Sequence, residues 1–197
     1  MKVTRAEGPG ARYALWLQGC SLRCAGCCNP QLFDPEAGAA VSGAQLFAEI
    51  LGVRAEIEGL TLLGGEPFEQ AAGLAPLARA VRGLGLSVIA FSGFRLEELS
   101  RMRDPAVAAL LASLDVLVDG RYEAGRPERQ RLWVGSTNQR FHYLSDRYSA
   151  VIERPGPGEP LRSLEVRLSP DGRLSANGWP EGLGLGRNVG STWSGTS

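Results

Sequence analysis

Four short apolar runs punctuate the first two-thirds of the chain, and each closes on glycine: "RYALWLQG" from Arg12, "LTLLGG" from Leu60, "LSVIAFSG" from Leu86 and "LDVLVDG" from Leu114. Runs of this length, rich in Leu, Val and Ile and stopped by glycine, read as buried strands. Helical patterns stand between them. "SGAQLFAEILGVRAEIEG" opens with Ser42 and Gln45 at capping-box spacing, carries Leu46, Ile50, Val53 and Ile57 at helical spacing and closes on Gly59. Glu66 to Gly83 has Leu74, Leu77 and Val81 on one face, and "RLEELS" and "PAVAALLAS" read as two short helices. Strands alternating with helices predict an α/β fold, with a mostly parallel sheet joined by crossover connections.

Past Gly120 the pattern changes. "RYEAGRPERQRLWVGSTNQRF" is polar and arginine-rich, which predicts a loop with room for one short strand around Leu132 to Val134. "EVRLSPDGRLSAN" reads as a hairpin turning at Ser-Pro-Asp-Gly. The last residues are rich in Gly, Ser and Thr and include Trp179 and Trp193, a composition that predicts a mobile tail. The expected organisation is a main domain over 1–160, a C-terminal hairpin over 161–177 and a flexible tail over 178–197.

A length of 197 residues suits one well-buried core. Basic and acidic residues balance at 21 each, so no cationic excess points to nucleic acid or an anionic membrane. The opening residues contain no apolar run of signal-peptide length, and no stretch is long enough to span a bilayer. The expectation is a cytoplasmic protein, whose thiols serve as metal ligands or redox groups more often than as disulfides.

That expectation bears on "QGCSLRCAGCCNP", Gln18 to Pro30, which holds all four cysteines of the chain. The cysteines follow the C-terminal end of the first predicted strand. Cys20, Cys24 and Cys27 are spaced C-x3-C-x2-C, while Cys28 follows directly and would leave in another direction. A structural zinc site takes four ligands, usually from two knuckles, but there is no second C-x2-C and the one histidine, His142, is remote. A [4Fe-4S] cluster normally takes four thiolates. Three would leave one iron open for a ligand.

The C-x3-C-x2-C spacing resembles the signature of the radical S-adenosylmethionine superfamily, and "GGEP", Gly64 to Pro67, resembles its second hallmark. Within it the chain resembles the activating component of anaerobic class III ribonucleotide reductase. Gly26 before the third cysteine, the Asn29-Pro30 pair, "GGEPFEQ", "FSGF", "LVDG" and "VGSTNQR", Val134 to Arg140, carry that likeness. Cys28 departs from it, standing where the family usually has an aromatic residue. The resemblance implies a [4Fe-4S] cluster on Cys20, Cys24 and Cys27, with S-adenosylmethionine on its open iron. It also implies a 5'-deoxyadenosyl radical that installs a glycyl radical on a partner enzyme, and a low-potential electron donor such as flavodoxin or ferredoxin. The implied fold is a partial, open βα barrel, because a complete one needs about 250 residues. An open side suits a macromolecular substrate.

Placement adds candidate cofactor contacts. Gly64, Gly65, Glu66 and Pro67 follow the second strand, Ser92 ends the third and Asp119 ends the fourth, all on the C-terminal edge where α/β sheets bind ligands. The glycines would let the backbone approach the cofactor, and Glu66 would accept from its ammonium group. Plainer readings stand beside these. The Gly pair also makes a strand-to-helix turn, Ser92 a helix cap, Asp119 a turn residue and Cys28 a small packed residue. "STNQR" reads as a solvated loop and the arginines at 121, 126, 129 and 131 as solvated side chains, with contact to an acidic partner the alternative for the arginines. Two other functions remain open: a radical enzyme acting on a peptide or small molecule, and a non-catalytic metal-binding scaffold.

Overall fold

The glycine-bounded runs form the sheet. β1 (Arg12–Leu17), β2 (Gly59–Gly64), β3 (Ser87–Ser92) and β4 (Val116–Asp119) lie side by side in sequential order, each parallel to its neighbour. The computed structural model describes residues 2–168, 172 and 174–178. β4 is buried along its whole length and β2 up to its last residue, as parallel strands covered on both faces must be.

The crossovers carry α1 (Gly43–Gly52), α2 (Ala71–Gly83), α3 (Leu96–Arg101) and α4 (Pro105–Leu111). They share one face of the sheet. Ile50 of α1, Leu74, Leu77 and Val81 of α2 and Leu110 of α4 join a single core with Leu60, Leu62, Val88, Ala90 and Leu117. The alternate strand residues Ile89, Val116 and Val118 face the other way, where Val134, Phe141, Tyr148 and Ile152 cover them. This face also holds Arg12, fully buried, whose guanidinium donates to Thr61 Oγ1 (2.6 Å), the Leu60 carbonyl (2.7 Å) and Ser87 Oγ (3.0 Å).

Helix boundaries differ in two places from the periodicity. α1 stops at Gly52 instead of running to Gly59, because the Val53 N–H bonds back to Ile50 and Leu51 and a 3-10 turn over Arg54–Glu56 follows. The segment after Glu66 starts as a 3-10 turn, Pro67–Gln70, before α2 begins at Ala71.

The polar segment departs further from expectation. No strand forms around Leu132 to Val134; instead Val134 is buried in the second core and Trp133 adopts φ +61°. The strand is β5 (Arg140–Tyr143), antiparallel to β4 with Arg140 opposite Asp119. Its residues are all half-buried, so no apolar run announces it. Pairing with β4 defines it.

β6 (Leu164–Leu168) and β7 (Leu174–Gly178) form a separate antiparallel hairpin. It is fastened to the start of the chain: Asn177 Nδ2 donates to Thr4 Oγ1 (3.0 Å), the Arg5 N–H to Glu165 (3.3 Å), and Arg167 to the Val3 carbonyl. The turn residues 169–171 and the tail beyond Gly178, with Trp179 and Trp193, lie outside the described residues. Among the described residues no helix is long and apolar enough to cross a membrane.

Candidate functional site

Because β1 to β4 are parallel, their exits gather on one edge, and the cysteine loop sits there. Its base is clamped by backbone bonds from Gly19 N–H to the Leu32 carbonyl (2.9 Å) and from Cys20 N–H to the Phe33 carbonyl (3.2 Å). Gln18 Nε2 reinforces the clamp by donating to the carbonyls of Gln31 (2.9 Å) and Asp34 (2.6 Å). Inside the loop the Cys27 N–H returns to the Cys24 carbonyl at 3.1 Å. Gly26 supports this turn with φ +76°, and a Cβ there would lie 3.3 Å from the Ala124 side chain.

Cys20, Cys24 and Cys27 are half-buried and Cys28 is exposed. The Cys28 thiol hydrogen-bonds the Cys27 sulfur, which draws the Cys27 thiol down to about 6 and pushes that of Cys28 up. Burial raises the thiol of Cys20. Asn29 donates to both neighbours, from its N–H to Cys27 Sγ (3.4 Å) and from Nδ2 to Cys28 Sγ (3.3 Å). Among the described residues no three cysteine, histidine or carboxylate side chains converge enough to share one metal ion. A single zinc, with sulfur at about 2.3 Å, would demand that convergence, whereas an iron-sulfur cluster takes its thiolates on separate irons. Three partly shielded thiols on one clamped loop are a donor set that suits an iron-sulfur cluster.

The second motif touches this loop directly. The Gly65 N–H donates to the Leu17 carbonyl (2.7 Å) and the Glu66 N–H to the Gly19 carbonyl (2.9 Å), so "GGEP" is bonded to the residues just before Cys20. The glycines are required by this contact. Gly64 has φ +101°, and a Cβ on Gly65 would stand 2.1 Å from the Gly19 carbonyl oxygen. Glu69 and Gln70, the last residues of "GGEPFEQ", were not singled out as site residues but extend the contact: the Ser21 N–H donates to the Glu69 carboxylate (3.1 Å) and Gln70 Nε2 to the Gln18 carbonyl (2.7 Å).

Glu66 is 1% exposed, and its carboxylate faces the end of β3. Oε1 accepts from Ser92 Oγ (2.8 Å) and from the Phe68 N–H (3.0 Å), while Oε2 accepts from the Gly93 N–H (2.9 Å). Burial nevertheless pushes its carboxyl up to about 7, against those three donors. Two of the candidate residues, Glu66 and Ser92, are thus in direct contact. Pro67 is buried as the first residue of the following turn. Gly93 in turn packs on the cysteine loop, since a Cβ there would stand 2.4 Å from Leu22.

Asp119 stands apart from that pair and anchors the far end of the edge. It is fully buried and accepts from the Leu96 N–H (2.6 Å) and from Arg140 Nε (3.0 Å) and an Arg140 terminal nitrogen (2.7 Å), with His142 Nε2 also 2.9 Å away. Burial pushes its carboxyl up, but Arg140, the Leu96 N–H and the imidazole outweigh this and hold it below its ordinary value. Arg140 also grips Glu97 with two bonds, at 2.7 and 3.0 Å. Spacing gave no hint of this junction; the "STNQR" run contained its arginine.

The same run orders the polar segment. Gln139 Oε1 accepts from the N–H groups of Gly135 (2.8 Å) and Ser136 (3.1 Å), and Asn138 Nδ2 donates to the Arg121 carbonyl (2.7 Å). Glu128, buried, accepts from the N–H groups of Arg129 and Gln130 and from Arg131 Nε at 2.7 Å. Arg131 is therefore spent inside the loop, whereas Arg121 and Arg129 are exposed and Arg126 makes an exposed pair with Glu123.

Residues 6–142, which contain β1 to β4 and the cysteine loop, match the family described as 4Fe-4S single cluster domain. Over 143 residues the chain is 30% identical to the anaerobic ribonucleoside-triphosphate reductase-activating protein of Haemophilus influenzae, covering 69% of this chain and 90% of that protein. The chain belongs to this 4Fe-4S activating-protein family. The activating proteins of Enterobacteria phage T4 and Escherichia coli K12 are similar to it as well. The phage protein is 31% identical over 147 residues, covering 71% of this chain and 88% of that protein. The Escherichia coli protein is 28% identical over 149 residues, covering 72% and 94%. The family's 4Fe-4S domain ends near β5, so the β6–β7 hairpin stands outside the matched residues.

Proposed function

We propose that the chain is a radical S-adenosylmethionine enzyme that installs a glycyl radical on an anaerobic ribonucleoside-triphosphate reductase. The observation that carries this reading is the backbone junction between the three-cysteine loop and the Gly64-Gly65 turn, in a chain of the 4Fe-4S activating family. Cys20, Cys24 and Cys27 would hold the [4Fe-4S] cluster, leaving one iron for S-adenosylmethionine. When bound, the pair would supply reductive cleavage of the sulfonium carbon–sulfur bond, giving methionine and a 5'-deoxyadenosyl radical.

This chain's residues hold and orient. Gly64 and Gly65 bring backbone close to Leu17 and Gly19, just before Cys20, while Glu66 and Ser92 join the exits of β2 and β3, and Asp119 with Arg140 joins the exit of β4 to the start of β5. Of the six candidate cofactor-side residues, Gly65 and Glu66 bond the base of the cysteine loop and Glu66 bonds Ser92, Gly64 and Pro67 flank them in the same turn, and Asp119 stands at the far end of the same strand edge. Sequential parallel strands with helices on one face are the arrangement of a barrel segment. A segment left open beside β1 would admit a glycine-bearing loop of a partner. A low-potential donor such as flavodoxin or ferredoxin would reduce the cluster.

The test is to mix anaerobically reconstituted, reduced protein with S-adenosylmethionine and the reductase. A glycyl-radical doublet in electron paramagnetic resonance, together with 5'-deoxyadenosine, is the expected result. Cofactor cleavage without a protein radical would move the assignment to a peptide or small-molecule substrate, and no cleavage by cluster-loaded protein would reduce it to a metal-binding scaffold.

A further inference from the structure

Cys28 is the one thiol that the proposed function does not use. It is exposed and adjoins Cys27 in the chain, and Asn29 donates to both sulfurs, from its N–H to Cys27 Sγ at 3.4 Å and from Nδ2 to Cys28 Sγ at 3.3 Å, so one residue gathers the two side chains at the surface of the loop. We propose that Cys27 and Cys28 form a reversible modification site: in the cluster-free protein, peroxide converts the pair to a vicinal disulfide that caps the ligand Cys27 and prevents its irreversible oxidation.

The step balances with peroxide as oxidant. One thiolate of the pair attacks the peroxide, forming a sulfur–oxygen bond and releasing hydroxide, which takes up a proton to become water; the product is a sulfenic acid. The neighbouring thiol then attacks that sulfur, the S–S bond forms, and a second water leaves. Two thiols are oxidised by two electrons and one peroxide is reduced. Without Cys28 the sulfenic acid would meet a second peroxide and pass to the sulfinic acid, which ordinary thiols do not reverse.

Reversibility follows from covalent geometry. Adjacent Cα atoms lie about 3.8 Å apart across a trans peptide, below the usual disulfide range of about 4.4–6.8 Å. A ring closed over that span is strained and easily reduced, which suits a temporary cap. The cap can close only when Cys27 is not holding iron, so a loaded loop excludes it.

This inference rests on Cys27 being a cluster ligand, and the experiment separates the two claims. Full-length cluster-free wild type and Cys28→Ser are each loaded with iron and sulfide without oxidation, to test the ligand reading. They are then loaded again after hydrogen peroxide followed by dithiothreitol, and peptides are mapped by mass spectrometry before and after reduction. Wild type should show the Cys27–Cys28 peptide lighter by two hydrogen atoms, return to full thiol on reduction and recover its iron content. Cys28→Ser should gain two oxygen atoms on Cys27 and recover several-fold less iron. A Cys27 linked instead to Cys20 or Cys24, or equal recovery in the two proteins, would overturn the proposal even where unoxidised loading succeeds. Failure of both proteins to load before oxidation would overturn the ligand reading instead, and the cap with it.

Discussion

The Ser92 hydroxyl donates to Glu66 Oε1 at 2.8 Å, joining the exits of β2 and β3 through a carboxylate that water does not reach. The Gly93 N–H completes the junction from the other oxygen, and Gly93 also packs on Leu22 of the cysteine loop. One buried side chain therefore ties two strand ends to the loop that carries the thiols.

Ser92→Ala removes one of the three donors and leaves the Glu66 carboxylate less satisfied. The expected cost is about 1–3 kcal/mol, the usual penalty for a buried polar group deprived of a partner. Urea unfolding should show a lower midpoint at unchanged slope. An unchanged midpoint would mean that the carboxylate does not depend on Ser92.

Glu66 also makes stability depend on pH. Its carboxyl is raised from an ordinary 4.5 to about 7, so between those values the folded protein binds more protons than the unfolded chain. Its contribution is full below about 4.5 and is lost as pH rises through about 7. Wild type should lose unfolding free energy across that window relative to Glu66→Gln. Parallel stability curves for the two proteins would contradict the raised value.

Gly65→Ala should disturb the thiols from outside the loop. Its Cβ would stand 2.1 Å from the Gly19 carbonyl oxygen and 3.0 Å from that of Leu17, both backbone atoms that cannot swing aside. Iron and sulfide per chain should fall several-fold after anaerobic reconstitution, with far-ultraviolet circular dichroism unchanged. Gly73→Ala is the control: nothing lies within 4 Å of that Cβ, and in α2 alanine should stabilise by about 0.5–1 kcal/mol. Full iron content in Gly65→Ala would show that the loop tolerates the displacement.

Arg140→Met strips Asp119 of its forked partner. Arg140 is itself partly exposed, which tempers the loss to about 1–3 kcal/mol at neutral pH. Asp119 is held below its ordinary 3.8, so its contribution is present above that value and is lost as pH falls through the folded one. The gap between wild type and Arg140→Met should therefore narrow as pH drops below about 4. A constant gap would assign the effect to packing.

Single Ala substitutions at Cys20, Cys24 and Cys27 should each abolish cluster loading, while Cys28→Ala should retain iron and sulfide near wild type. Loss of the cluster in Cys28→Ala, as complete as in Cys24→Ala, would make Cys28 a ligand.

The parallel sheet was legible from the chain alone because local signals agree along it: apolar runs closed by glycine, a capping box at Ser42 and Gln45, helical spacing through α2. The cysteine spacing and "GGEP" were legible for the same reason, each being a short contiguous pattern. β5 was not, since "RFHY" is half-buried at the sheet's edge and becomes a strand only by pairing with β4. Nor was what the glycines and carboxylates face. Sequence places Gly65 and Glu66 at the ligand-binding edge, and the structure adds that Gly65 makes room for the Gly19 carbonyl, that Glu66 accepts from Ser92 and Gly93, and that Asp119 finds Arg140 twenty-one residues on. Local periodicity and turn chemistry act between residues near in sequence, so one chain displays them. Which strand exits share a hydrogen bond depends on register and crossover geometry, set only when the sheet assembles.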